Sequence, residues 1–197
     1  MTRSTDDATA LPGETFVIGY VGRLVPEKGV GDLLQAASRL VGEWQVRLLG
    51  DGPDKERLVS LAATLAIDDR VHFDPWIPSP EVPGYLSQLH TLVLPSHTRP
   101  NWKEQFGRVL TEAMVSGVPV VGSDSGEIPN VIGDAGLIYP EGDVDRLAAH
   151  LSDLMSRPDL WARLAQKGRE RVLAHYTQEQ VARETVRVYR EILSTPP

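Results

Sequence analysis

The chain has 197 residues, of which 41% are hydrophobic and 24% are charged, as is ordinary for a globular protein of one or two domains. This composition excludes a disordered, collagenous or low-complexity protein. Twenty lysines and arginines against 27 acidic residues leave a net charge of −7. No global positive field attracts nucleic acid, so no nucleic-acid partner is expected, and any anionic ligand must be held by a few local groups.

The chain contains no cysteine and five scattered histidines. It therefore offers no disulfide framework, no thiolate nucleophile and no metal-ligand pattern, and we predict that it binds no metal. The lack of cysteine suits a reducing cytoplasm. No stretch has the roughly 18 to 20 unbroken apolar residues of a membrane-spanning helix, and the polar start 1–10 lacks the apolar core of a signal peptide.

Strands and helices are predicted to alternate along the first two thirds of the chain. A polar lead, residues 1–14, is predicted to be a frayed tail or linker. The continuous apolar run after it is typical of a strand buried on both faces of a sheet. Apolar residues at helical spacing predict the first helix, with Val41 as the last member of its buried face. The predicted strands are 15–22, 44–50, 71–73, 91–95, 118–123 and 137–139, and the predicted helices between them cover about 30–41, 58–65, 81–89 and 107–116.

This alternation predicts an α/β fold, a Rossmann-like doubly wound parallel sheet of about six strands flanked by helices. Such sheets bind ligands at the carboxyl ends of their strands, so functional residues are expected in the loops that follow strands. From Asp143 onward the pattern is helical, and these C-terminal helices are predicted to cover the sheet or reach a neighbour. Residues 15–195 are therefore expected to form one domain.

The loop after the first predicted strand, from Gly22 to Gly29, contains a glycine bend and two cations. Arg23 and Lys28 lie five positions apart, just before a helix start, and could converge on one anion. An arginine fork and a lysine charge beside free helix-start amides would suit a diphosphate. Solvated surface cations are the alternative for this loop. It has neither the P-loop pattern nor the glycine fingerprint of dinucleotide-binding proteins.

A second candidate loop precedes the predicted helix near Gly107. Two glutamates of this region are candidate ligand-binding residues. Glu104 stays in the loop, whereas Glu112 lies about one turn inside the helix, so both can face one ligand at the helix N-terminus. Their carboxylates can accept hydrogen bonds from sugar hydroxyls, and helix-start amides favour a phosphate. Solvated helix charges are the alternative. The amides that would point at a phosphate are those of Gly107, Arg108, Val109 and Leu110.

Six motifs occur together in the order and spacing of a known family. They are GRLVPEKG, GDGP, VLPS, EQFGRVLTEAM, GVPVVGSDSGEIPNVIGDAG and PEGD. From about residue 15 to about residue 193 the chain resembles the C-terminal, nucleotide-sugar-binding domain of family 4 glycosyltransferases, which have the GT-B fold. The resemblance implies a retaining enzyme that transfers a sugar from a nucleoside-diphosphate donor to an acceptor hydroxyl, with no metal and no cofactor besides the substrate.

The resemblance also implies roles for the charged residues. Arg23 and Lys28 match the pair that neutralises the donor diphosphate and the departing nucleotide, so catalysis would rest on stabilising the leaving group's charge. Glu104 matches the catalytic-site glutamate that contacts the donor sugar, and Glu112 matches the one that binds the ribose hydroxyls. Glu104 as a nucleophile is the alternative, and double displacement would need two carboxylates about 5 Å apart across the sugar.

Uncharged positions are assigned by the same resemblance. Trp76 and Ile77 fall where the family's nucleobase packs against a loop, and the amides of 106–110 match those that hold the sugar and phosphate. Glycine often stands in the family where this chain has Gln105, which leaves the sugar-side contacts open. The expected donor-binding residues are Gly22, Arg23, Lys28, Trp76, Ile77, Glu104, Gln105, Phe106, Gly107, Arg108, Val109, Leu110 and Glu112.

In the family the acceptor site lies in a preceding N-terminal domain of similar size, and we expect that domain to be absent from this chain, as in an excised domain, one half of a split enzyme or a gene remnant. The resemblance therefore implies that an acceptor glycan or lipid-linked sugar binds through that missing domain, and that the isolated domain is incomplete or inactive. The full enzyme is expected in the cytoplasm and could associate peripherally with the inner face of a membrane. The alternatives are a non-catalytic nucleotide-sugar-binding module that needs a separate acceptor-domain partner, and a dinucleotide-dependent oxidoreductase suggested by the strand and helix alternation alone.

Overall fold

The computed structural model describes residues 15–194, so the predicted lead at 1–14 lies outside the described residues. Six strands form one parallel sheet: β1 (Phe16–Val21), β2 (Trp44–Leu49), β3 (Val71–Asp74), β4 (Thr91–Leu94), β5 (Val120–Ser123) and β6 (Leu137–Tyr139). Their order is β3-β2-β1-β4-β5-β6, with every neighbouring pair parallel. Strand order reverses between β1 and β4, and ligands of open α/β sheets bind at such a reversal.

Eight α-helices flank the strands in the part of the chain that the structure describes. They are α1 (Val30–Ala37), α2 (Lys55–Thr64), α3 (Val82–Leu86), α4 (Arg108–Val115), α5 (Ile128–Ile132), α6 (Val144–Ser156), α7 (Pro158–His175) and α8 (Gln178–Ser194). Short 3-10 turns occur at Pro26–Lys28, Asp68–Arg70 and Ser79–Glu81. The predicted doubly wound α/β fold with helices at its C-terminal end is confirmed.

The core lies on both faces of the sheet because the central strands are continuously apolar. All four residues of β4 are buried, and so are the first five of β1. On the helices, α1 packs against α2 and α6, and α4 packs against α7. Trp161 of α7 donates its indole N–H to the carbonyl oxygen of His90 at 2.6 Å. This bond fixes α7 beside the start of β4.

The predicted extent of the first helix was wrong. The helix ends at Ala37, and Val41, predicted to be buried, is 91% exposed. Beyond Ala37 the amides of Arg39 and Leu40 donate to carbonyl groups three residues earlier. This tighter turn ends the helix, so Val41 no longer follows the helical spacing that its sequence position suggested.

The short helix α5 was missed by the sequence prediction. It has five residues and lies between Gly126 and Gly133, both of which have positive φ angles. A helix of little more than one turn is too short for apolar periodicity to reveal it. Its glycine-punctuated surroundings therefore suggested an irregular loop.

Two glycines with similar backbone angles allow a matched test of close packing at the carboxyl edge of the sheet. Gly29 has φ 63°, and a Cβ added there would lie 1.9 Å from the carbonyl oxygen of Pro95. Gly117 has φ 75° and open space around an added Cβ. Both alanine variants carry a left-handed backbone penalty of about 1–2 kcal/mol, but only Gly29→Ala must also displace the backbone after β4.

We therefore expect Gly29→Ala to lower the free energy of unfolding in urea by at least about 1 kcal/mol more than Gly117→Ala does. Equal losses would contradict the close approach of the Gly29 turn to the end of β4.

Candidate functional site

A cleft of about 260 Å³ opens at the carboxyl ends of β1 and β4. The strand ends, the loop after β1, the start of α4 and the segment leading into α3 form its walls. It lies where the strand order reverses, which is where the topology predicts a ligand site. Its lining residues are Val21, Gly22, Lys28, Ser79, Val82, Leu94, Glu104, Gly107, Arg108, Val109 and Glu112.

Two further surface grooves border α8. One is lined by residues of α8 alone, and the other runs from Phe106 and Tyr176 to Tyr189. Neither groove contains a buried ion pair among the residues that the structure describes. The cleft between β1 and β4 is therefore the candidate functional site.

Lys28 and Glu104 form the charged centre of the cleft. Lys28 Nζ donates to Glu104 Oε2 at 2.6 Å, and the hydroxyl of Ser96 donates to the same oxygen at 3.1 Å. The two charged side chains are only 20% and 11% exposed, and partial burial strengthens their interaction relative to one in water. The two loops that the sequence singled out thus meet in one site.

Trp102 flanks the Lys28 ammonium. The distance from Lys28 Nζ to the centroid of the Trp102 ring is 4.9 Å, which places a cation beside an aromatic face. Trp102 is held by a short turn in which its backbone and that of Arg99 exchange two hydrogen bonds. The indole therefore shields one side of the ammonium from solvent.

The loop after β5 fixes the backbone of Glu104. The amide of Glu127 donates to the carbonyl oxygen of Glu104 at 2.9 Å. Gly126 has φ 55° and passes so close that an added Cβ would lie 2.1 Å from that same oxygen. The hydroxyl of Ser123 donates to the carbonyl oxygen of Ser96 at 2.5 Å. Residues 123–127, with the sequence SDSGE, therefore hold the backbone of Glu104 and of Ser96 in place.

The N-terminus of α4 faces the cleft. Its N-cap, Gly107, has φ 70°, and an added Cβ would lie 2.8 Å from the side chain of Leu94. Within residues 15–194 the amides of Gly107, Arg108 and Val109 have no hydrogen-bond acceptor. The amide of Leu110 already donates to the carbonyl oxygen of Gly107 at 2.8 Å. Three of the four predicted amides are thus open to an anion.

The structure brings together only part of the predicted site. Glu112 lines the cleft, as predicted, and its Oε1 lies 3.2 Å from Nε of Arg108. Seven predicted residues line the cleft: Gly22, Lys28, Glu104, Gly107, Arg108, Val109 and Glu112. Six do not: Arg23, Trp76, Ile77, Gln105, Phe106 and Leu110.

The predicted residues outside the cleft have different surroundings. Arg23 is exposed and forms no ion pair among the described residues, while its carbonyl oxygen accepts a bond from the hydroxyl of Tyr20. Trp76 is 73% exposed. Phe106 instead packs edge-on against Tyr176, with ring centroids 5.5 Å apart. Their roles toward a ligand stay predictions.

Sequence reasoning did not name Val21 and Leu94, the strand-end residues that line the cleft, and it missed three further residues of the site. Ser79 and Val82, from the 3-10 turn and the start of α3, line the cleft. Ser96 is fully buried and donates to Glu104. Its position directly after β4, within the quoted motif VLPS, was the available signal because loops after strands were the expected location of function.

Residues 15–194 contain neither a membrane-crossing helix nor a metal-binding cluster. No helix in this range is long and apolar enough to cross a membrane. No group of three histidine or acidic side chains in the same range is arranged to hold a metal ion.

A doubly wound parallel sheet with a cation, a carboxylate and open helix-start amides at its strand reversal defines a Rossmann-like domain with a charged cleft. The sequence model of the glycosyl transferases group 1 family matches residues 2–171, and the chain belongs to this family. It is 34% identical over 188 residues to the MMP alpha-(1->4)-mannosyltransferase of Mycolicibacterium hassiacum, a match that covers 90% of this chain and 43% of the relative.

Solved structures agree with this assignment. The C-terminal domain of a group 1 glycosyl transferase (LpcC) from Francisella tularensis is 26% identical, with a TM-score of 0.75 over 89% of this chain and 94% of that chain. Anabaena Alr3699/HepE in complex with UDP shares the fold at 21% identity, with a TM-score of 0.83 over 96% of this chain and 54% of that chain. The chain spans about half the length of the curated relatives that it matches.

A double-mutant cycle tests the energetic coupling between Lys28 and Glu104. We expect the replacements Lys28→Met and Glu104→Gln to couple by about 1–3 kcal/mol in the free energy of unfolding, because each single change leaves a partly buried charge without its partner. Lys167 and Asp134 are 2.7 Å apart but far more exposed, so the same cycle on this pair should give a much smaller coupling. Equally small couplings for both pairs would show that the cleft pair is solvated like a surface pair.

Proposed function

We propose that this chain is the donor-binding domain of a retaining, metal-independent family 4 glycosyltransferase. In this proposal it binds a nucleoside-diphosphate sugar, and a hexosyl group passes from that donor to an acceptor hydroxyl. The single observation that carries the proposal is the convergence of the Lys28 ammonium, the Glu104 carboxylate and the open amides of α4 in one cleft. The mannosyltransferase name of one relative and the UDP bound in Anabaena HepE support this donor class.

The diphosphate would bind at the positively charged end of the cleft. The open amides of Gly107, Arg108 and Val109 and the ammonium of Lys28 would receive the charge that grows on the departing nucleotide as the glycosidic bond breaks. Arg23 directly follows Gly22, which lines the cleft, and its exposed guanidinium is free to reach the same phosphates. Leaving-group stabilisation is therefore the contribution of this domain to catalysis.

The two glutamates would bind different parts of the donor. Lys28 and Ser96 both donate to Oε2 of Glu104, so Oε1 has no partner within residues 15–194 and can accept a hydrogen bond from a sugar hydroxyl. Glu112 lies one turn into α4 and also lines the cleft, so it is available for the ribose hydroxyls. This division predicts distinct binding defects for the two variants.

The acceptor half of the enzyme would come from a preceding N-terminal domain or from a separate protein. We propose a glycan or lipid-linked sugar as the acceptor, and a cytoplasmic enzyme that associates with the inner face of a membrane. The chain's span of about half the length of its relatives supports a second half. Sugar transfer by the chain alone would rule out a purely binding module.

Ligand binding gives the direct test of the donor site. We expect one of UDP, GDP and ADP, with its sugar derivatives, to raise the melting temperature in the presence of EDTA, and NAD to have no effect. Lys28→Ala and Arg23→Ala should each weaken nucleoside-diphosphate binding, measured by calorimetry, by about 1.5–3 kcal/mol because a charge-assisted bond is lost. Lys167→Ala, remote from the cleft, is the control and should bind normally. Failure of every nucleotide to bind would overturn the proposal.

The glutamate variants test the division of roles. Glu112→Ala should weaken the nucleoside diphosphate and its sugar derivative by a similar factor, of about 3 to 10, because it removes a ribose contact common to both. Glu104→Ala should weaken chiefly the sugar-bearing donor. Calorimetry with both ligands measures the difference, and equal effects of Glu104→Ala on the two ligands would contradict a sugar contact.

A further inference from the structure

A hydrogen-bonded pair outside the cleft joins the two loops that form its charged centre. Nε2 of His97 lies 2.6 Å from Oδ2 of Asp32, and both side chains are largely buried. His97 directly follows Ser96, which donates to Glu104. Asp32 lies in the first turn of α1, four residues after Lys28. We call this pair the His97–Asp32 clamp.

Backbone contacts reinforce the His97–Asp32 clamp. The amide of His97 donates to the carbonyl oxygen of Glu27 at 2.8 Å. Gly29 lies against the end of β4, where an added Cβ would meet both the Pro95 carbonyl oxygen and the His97 ring. The turn that carries Lys28 is therefore attached on both sides to the segment after β4.

Three charged groups face the His97 ring, each from a different part of the fold. The hydrogen bond to Asp32 of α1 raises the pKa of His97 above its ordinary value, and this outweighs the opposite effect of burial. Glu141, which follows β6, also raises this pKa, whereas Arg99 on the same loop lowers it. Because the folded-state pKa is raised, the charged pair with Asp32 is complete at low pH and weakens as the pH rises through that value.

We propose that His97 is a positioning residue for the donor site. Through Asp32 it fixes the turn that carries Lys28, and so sets where the ammonium meets both Glu104 and the donor diphosphate. His97 does not line the cleft, so in this proposal it acts on the ligand through Lys28. This inference rests on the proposed function, because it assigns the ligand of Lys28 to a nucleoside diphosphate.

Calorimetry with UDP-glucose, GDP-mannose and ADP-glucose tests the proposal on the full chain. For the nucleotide sugar that binds, we expect His97→Gln and Asp32→Asn each to weaken affinity about 3- to 10-fold. His72→Gln, which alters an exposed histidine of β3, is the matched control and should have no effect. In a Lys28→Ala background, His97→Gln should cause no further loss. A full additional loss in that background would overturn the proposal.

The pH profile distinguishes positioning from a purely structural role. A nucleotide sugar has no terminal phosphate monoester, so its diphosphate keeps a constant charge between about pH 6 and 8, while histidine titrates in this range. We expect wild-type affinity to fall as the pH rises through the pKa of His97, and the His97→Gln profile to be flatter. Superimposable profiles would overturn the proposal.

Amide hydrogen exchange without nucleotide tests the clamp separately. The amides of Lys28 and Gly29 donate within their turn to Val25 and Pro26. In His97→Gln they should exchange faster than in the wild type, while amides of α6 keep their rates. Unchanged rates at Lys28 and Gly29 would overturn the clamp. If no nucleotide sugar binds the wild type, the proposed function and the donor-positioning role fail together; normal binding by His97→Gln at every pH overturns this inference alone.

Discussion

Lys28 and Glu104 are separated by 76 positions in the sequence, yet their charged atoms lie 2.6 Å apart. The parallel sheet makes this contact possible, because it delivers the loops after β1 and β4 to the same edge at the point where the strand order reverses. Each loop leaves its strand in a different direction, and a cleft opens between them. Removal of either charge leaves the other partly buried and uncompensated, so the two loops are energetically dependent on each other.

The ion pair also determines how an anionic ligand can gain access to the Lys28 ammonium. In the structure Glu104 pairs with the Lys28 ammonium, and Trp102 lies beside it. An anion gains this ammonium only by sharing it with the carboxylate, whereas the three open amides at the start of α4 have no such competitor among the described residues. In the proposed donor complex the helix-start amides would therefore provide the first attraction for phosphate, and the lysine would add to it once the anion is in place.

Sequence patterns predicted the fold well because parallel strands buried on both faces are continuously apolar, and helices follow them at regular intervals. They failed at α5, because a helix of five residues is too short to show periodicity. They also failed at Val41, because a tight turn ends α1 before that residue. For the site, the rule that ligands bind in the loops after parallel strands led to Lys28 and Glu104. The sequence could not reveal that Ser96 supports Glu104, or that Trp76 is largely exposed outside the cleft, because these facts depend on three-dimensional packing between distant segments.

The turn that carries Trp102 closes on itself through two backbone hydrogen bonds between Arg99 and Trp102. Such a turn satisfies its own polar groups, so its length and composition can vary at little cost to the sheet beneath it. It lies directly beside the cation of the cleft. A change in this turn would therefore alter the surroundings of the Lys28 ammonium while the strands, α4 and the ion pair stay constant.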